Sequence, residues 1–350
     1  MKAEPRAWRP ILLSVLPALC LAACAQLTRT PSPSAVLLPD RQELISRAES
    51  LISDLDALFQ RVFPSTGFAD YTEFYGSLQE GGGTAGKELA KMILDENIQI
   101  GMHAKEDSRM LIARNGFLNI HSAKTSSFSI NAEGRNAIEA GCLGIKPEYY
   151  AALPPYLKPK YGFLMPQITS VLEAPDLSRW YGNDVYIIKL NNVRNRLSWT
   201  PGDSLDRIDK WSSAKGINWK TGESFSAESW DLLFIPWARR ALMIPLLEED
   251  VAATGKLAFT ATPLHPLYNM SKAGPGLKTA YPGPNASYVE VQIWGPLDIG
   301  DVEKFIFKAR LPDGDFLKTL KKLGIPVYDG RNGKPVKWIS LRVVFSPVTA

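Results

Sequence analysis

The sequence predicts an α+β fold: an N-terminal helical segment, then a mostly antiparallel, split β-sheet core with flanking helices. Two patterns and one count carry the fold class. Leu44, Ala48, Leu51, Ile52, Leu55, Leu58 and Phe59 recur at helical spacing near the N-terminus. Tyr288-Val289-Glu290-Val291-Gln292-Ile293-Trp294 alternates apolar and polar residues, as a half-buried strand does. The 26 glycines and 26 prolines among 350 residues cut the remainder into short, turn-bounded segments rather than a helical bundle.

Residues 1–24 read as a bacterial lipoprotein signal. Lys2, Arg6 and Arg9 precede an apolar run over residues 11–23, which is too short to span a bilayer. The run ends in Leu21-Ala22-Ala23-Cys24, which matches a lipobox, so cleavage is expected before Cys24 and a diacylglycerol on its thiol. Two or three acyl chains anchor a protein without a transmembrane helix, so the membrane is the expected partner through Cys24. Ala25 follows the cysteine where an inner-membrane retention signal would place an acidic residue, which points to the outer membrane of the cell envelope. Residues 25–40, rich in Ser, Thr and Pro, form a tether.

Residues 41–107 are expected to be a helical N-terminal region. Its first helix starts with Asp40 as N-cap and stops at Pro64. A shorter helix is expected over 71–78, a break at Gly81-Gly82-Gly83, and another helix over 87–97 capped by Thr84. From residue 108 to 350 the segments shorten into a second domain. A helix end is expected over 110–116, a helix over 132–140 and a Tyr/Pro-rich connector over 147–159. Strands are expected at 161–165, 185–190, 257–262, 288–294, 304–307 and 338–345. Further helices are expected at 226–230 and at 315–323, the second closed by Gly324.

Charge and cysteine usage narrow the function classes. The formal net charge is +4 with Lys and Arg scattered, so no nucleic-acid partner is indicated. With Cys20 removed and Cys24 acylated, Cys142 stands alone and no internal disulfide can form. Three histidines and one free cysteine give no Cys/His metal set, and a monomer is expected.

Three stretches carry polar groups in patterned positions. Glu290 and Gln292 lie side by side on the strand face flanked by Tyr288 and Trp294. Lys158-Pro159-Lys160-Tyr161-Gly162 opens a strand with two ammonium groups, a fixed φ at Pro159 and a glycine that permits close backbone approach. Ser198 and Thr200 share a strand face just before the turn Pro201-Gly202-Asp203-Ser204. Taken singly, each reads as an amphipathic strand, a basic turn or a hairpin end.

Taken in order, with Arg114-Asn115-Gly116-Phe117-Leu118-Asn119 ahead of them, the stretches resemble the bacterial and phage ADP-ribosyltransferase-like domains over residues 108–330. That resemblance implies NAD as substrate and a mono-ADP-ribosyltransferase or NAD-glycohydrolase activity on a membrane-anchored lipoprotein. Its catalytic set would be Glu290, Gln292 and Ser198. Glu290 would bond the nicotinamide ribose and steady its oxocarbenium-like transition state, Ser198 would brace the pocket, and Gln292 would orient an acceptor, which nothing in the sequence identifies. Its NAD-binding set would be Lys158 on the diphosphate, Tyr161 stacked on the nicotinamide, and Gly162, Thr200 and Asn119 around them. Two positions depart from the family pattern: Lys158 stands where an arginine fork is usual, and the glutamate is first rather than second in the Glu-x-Gln pair. Two other readings stay open. One is a non-catalytic binding or structural lipoprotein of the same fold. The other is glycoside cleavage by Glu290 with a second carboxylate, for which Asp203 is the first candidate.

Overall fold

The computed structural model describes residues 40–62, 93–123, 132–143, 147–166, 182–201, 234–242 and 289–336. Among the described residues nine strands make one sheet: β1 (Ile98–Ala104), β2 (Lys160–Pro166), β3 (Asp184–Ile188), β4 (Leu197–Pro201), β5 (Ile235–Pro236), β6 (Val289–Ile293), β7 (Val302–Phe307), β8 (Val327–Asp329) and β9 (Lys334–Pro335). Their order is β5-β4-β6-β2-β1-β3-β7-β8-β9. Neighbours run antiparallel except β7 and β8, which are parallel. The fold is therefore mixed α and β with a mostly antiparallel sheet, as expected. The described strands all belong to a single sheet.

The parallel pair needs a crossover, and α7 (Gly314–Lys322) supplies it. Asp313 caps this helix by accepting from the backbone N–H groups of Asp315 and Phe316. Gly324, at φ 69°, ends it. Both ends match the sequence reading within a residue. The N-terminal helix α1 (Arg41–Val62) also forms as its periodicity predicts, burying Leu44, Ala48, Ile52 and Leu55 against the sheet core. Among the described residues, three ion pairs dock it: Arg41 to Asp298 at 2.6 Å, Arg41 to Asp301 at 2.7 Å and Arg239 to Asp56 at 2.8 Å.

The reading of 41–107 as helical differs from the structure at its end. Ile98–Ala104 is strand β1, paired on one side with β2 and on the other with β3, in the middle of the sheet. The alternation of Ile98, Ile100 and Met102 was the available signal; the neighbouring apolar spacing over 87–97 masked it. The boundary at 107/108 thus lies between β1 and α2 (Arg109–Asn115), both built on the same core. Two smaller differences follow. The 185–190 strand stops at Ile188, where the chain turns through Lys189 into α6 (Leu190–Val193). The connector carries α5 (Pro147–Ala151) and a 3-10 turn at Pro155–Leu157. The strands expected at 257–262 and 338–345, the helices at 71–78 and 226–230, and the signal and tether lie outside the described residues.

The sheet separates two faces by alternation. On one, Leu197, Trp199, Val291, Ile293, Leu164 and Ile100 join the main core with α1. On the other, Phe163, Met165, Val185, Ile187 and Ile306 form a second, smaller cluster. Phe163 lies directly across from Gly101, and a Cβ there would come 2.2 Å from its ring. The ring is buried among its cluster and has no room to give. Gly101→Ala is therefore expected to cost about 1–3 kcal/mol of unfolding free energy in urea titration. Phe163→Leu in the same chain should recover part of that loss. An unchanged midpoint for Gly101→Ala would show that this close approach does not hold.

Candidate functional site

Strands β4, β6 and β2 are adjacent, and their register lines up the patterned residues. Ser198 faces Gln292, which faces Tyr161; one step along, Thr200 faces Glu290, which faces Phe163. Residues opposite one another in a sheet point to the same face. The polar members bond in a chain whose direction is fixed at its start, because an indole N–H can only donate. Trp294 Nε1 donates to Ser198 Oγ at 2.9 Å. The Ser198 hydroxyl donates to Gln292 Oε1 at 2.8 Å. Gln292 Nε2 then donates to Glu290 Oε1 at 2.9 Å and to Thr200 Oγ1 at 3.0 Å. The amide of Gln292 cannot flip without breaking three bonds, so the carboxylate of Glu290 is held in place. Ser198, Thr200 and Gln292 are fully buried, and Glu290 is 4% exposed.

A second polar group meets this one at Tyr161. It sits on α4 (Ala132–Cys142), with α3 (Ile120–Ala123) and α5 beside it. Its centre is Glu139, which is fully buried and accepts from four donors: His121 Nε2 and Arg135 Nε at 2.8 Å, and the Tyr150 and Tyr161 hydroxyls at 2.5 Å. Burial alone would raise its pKa. The His121 hydrogen bond and the Arg135 charge, with smaller help from Tyr150, outweigh burial and bring it down to about 2. Tyr161 thus joins the groups, standing cross-strand from Gln292 with its hydroxyl on Glu139. The guanidinium of Arg135 lies over its ring, 4.1 Å from the centroid. The field of Glu290 also reaches Arg135 and Tyr161.

Of the residues singled out from the sequence, Glu290, Gln292, Ser198, Thr200 and Tyr161 come together. Lys158 stands at the edge, its Nζ donating to Asn136 Oδ1 at 2.6 Å and lying 4.8 Å from the Tyr150 ring centroid. Burial pushes that ammonium down to about 8, against an opposing pull from Glu139. Its expected companion Lys160 points to the other face and donates to the Gly295 carbonyl. There burial, then the nearby Arg196 charge, pushes it down to about 7. Gly162 also belongs to that other face. A Cβ on it would come 2.7 Å from the Gly101 carbonyl oxygen, so the close approach it permits is to β1. Asn119 donates to the carbonyls of Pro155 at 2.7 Å and Lys158 at 2.9 Å, and accepts from Ser122 N at 2.9 Å. Its side chain fixes the backbone that carries Lys158. One face of the Tyr161 ring, expected to meet nicotinamide, is covered by Arg135. Cys24 and Asp203 lie outside the described residues.

Sequence reasoning missed His121, Arg135, Glu139 and Tyr150. Arg135 and Glu139 stand four apart on an expected helix, which from the sequence reads as a solvated ion pair. Only the packing of α4 on the sheet buries them. The chain matches no family model and no curated protein.

Proposed function

We propose that this chain is a membrane-anchored bacterial lipoprotein with an NAD-using, mono-ADP-ribosyltransferase-like or NAD-glycohydrolase site. The observation that carries this reading is the shared register of β4, β6 and β2. It sets a glutamate, its orienting glutamine, two hydroxyls and a tyrosine on one sheet face. In the proposed reaction the bond from ribose C1′ to nicotinamide breaks and its electron pair leaves with the nicotinamide. The positive charge left on the ribose is met by the Glu290 carboxylate, held by Gln292. Water, or a nucleophile of an acceptor, then attacks C1′ and loses a proton. The test is nicotinamide release from NAD by the detergent-solubilised mature protein. Release is expected. Its absence at millimolar NAD, with the fold verified by circular dichroism, would sink the catalytic reading.

A second reading has its own support. The hydroxyls and the amide around Glu290 satisfy one another, and Asn136 holds the Lys158 ammonium. Such a self-contained network also suits a non-catalytic binding or structural lipoprotein of the same fold, which would bind without releasing nicotinamide.

Both readings share the anchor. Cys24→Ala is expected to abolish acylation and to move the protein from the membrane to the soluble fraction. Intact-mass measurement of the membrane-extracted wild type checks this, since a mass without added lipid removes the lipoprotein assignment.

A further inference from the structure

The cation expected on the substrate diphosphate is Lys158, yet its ammonium is engaged by Asn136 and rests over Tyr150. Helix α4 brings a second cation to the same place. Arg135 is 8% exposed, its Nε donates to Glu139 Oε1 at 2.8 Å, and its guanidinium carbon lies 4.1 Å from the Tyr161 ring centroid. These two contacts fix the guanidinium in one orientation. The hydrogen bond uses Nε, and among the described residues both Nη nitrogens are left without a protein acceptor. Glu139 offers them little, because His121, Tyr150 and Tyr161 already bond its oxygens. Burial works against the charge of Arg135, but Tyr161, Glu139 and Glu290 outweigh it and the group stays a cation. A guanidinium edge held in advance beside the Glu290 network is the fork that a lysine cannot supply.

We propose that Arg135, rather than Lys158, is the anion-binding residue of this site, its Nη pair taking the diphosphate of a dinucleotide substrate. This rests on the NAD reading above. The bland alternative makes Arg135 only the buried counter-ion of Glu139. The two differ in ligand dependence: a counter-ion loses all ligands alike when altered, whereas an anion site loses only those that carry the diphosphate.

The experiment is calorimetry on the detergent-solubilised mature protein. The probes are ADP-ribose, which has the diphosphate and lacks nicotinamide, and nicotinamide riboside, which has the reverse. Arg135→Lys is expected to weaken ADP-ribose by tenfold or more, as the loss of a bidentate charge-assisted pair would. Nicotinamide riboside should stay within about twofold, and Lys158→Gln should weaken ADP-ribose less than Arg135→Lys does. Equal loss of both probes in Arg135→Lys overturns the proposal, as does wild type that binds no ADP-ribose. Should Arg135→Lys fail to fold, Lys158→Gln decides: retained ADP-ribose binding supports Arg135, and lost binding overturns it. Nicotinamide release from NAD, measured alongside, separates the two ideas. Selective ADP-ribose loss without any nicotinamide release keeps the anion site and sinks the NAD chemistry. Nicotinamide release with an unchanged KM in Arg135→Lys does the opposite.

Discussion

Glu290→Gln is expected to lower nicotinamide release by about 100-fold or more while leaving the fold and NAD affinity in place. The substitution suits the site. Gln292 Nε2 donates to Glu290 Oε1 at 2.9 Å, and the carbonyl of a glutamine at that position can accept the same bond. Shape and the bond from Gln292 are kept while the negative charge is lost. A charge that matters only as the ribose becomes cationic should appear in kcat rather than in KM. Ser198→Ala is expected to cost less, because Ser198 acts on Glu290 only through Gln292. The decisive measurement is a full kcat and KM determination for both variants by nicotinamide quantification. Turnover of Glu290→Gln equal to wild type would remove Glu290 from the chemistry.

The largest expected effect on stability lies at Glu139. Glu139→Ala takes the acceptor away from four donors and leaves Arg135 buried without its carboxylate. Breaking a buried pair from one side typically costs about 3–5 kcal/mol, and a loss of that order is expected in urea unfolding at pH 7. The acid dependence follows from a pKa lowered from 4.5 to about 2. A carboxyl depressed in the folded state contributes fully above its unfolded pKa, and that contribution fades as pH falls towards the folded value. The gap between wild type and Glu139→Ala should therefore be complete at neutral pH and narrow between about pH 4.5 and 2. A gap that stays constant through that window would mean that Glu139 is not held as an ion by its neighbours.

How much of this was legible in the sequence depends on the range of the interaction that decides each element. Helix α1 and the end of helix α7 were legible, because helical spacing, Asp40, Pro64 and Gly324 act within a few residues. So were β2 and β6, and the fact that Glu290 and Gln292 share a face, because alternation is a property of the single strand. Strand β1 was misread as part of a helical region. Its seven residues carry a short period, and what makes them a strand is pairing with β2 and β3, which lie far along the chain.

The candidate site divides along the same line. The sequence by itself determined which polar residues could act together on one strand: Glu290 with Gln292, and Ser198 with Thr200. It could not determine that Ser198 would face Gln292 or that Gly162 would lie against β1. Those follow from register, and a shift of one residue moves every side chain to the opposite face. Nor could it single out Glu139, His121, Arg135 and Tyr150, whose residue types are ordinary on a solvated helix. Only the tertiary structure decided that they are buried. Burial changes their physics, because a carboxylate out of water must find its donors within the protein, and here it finds four.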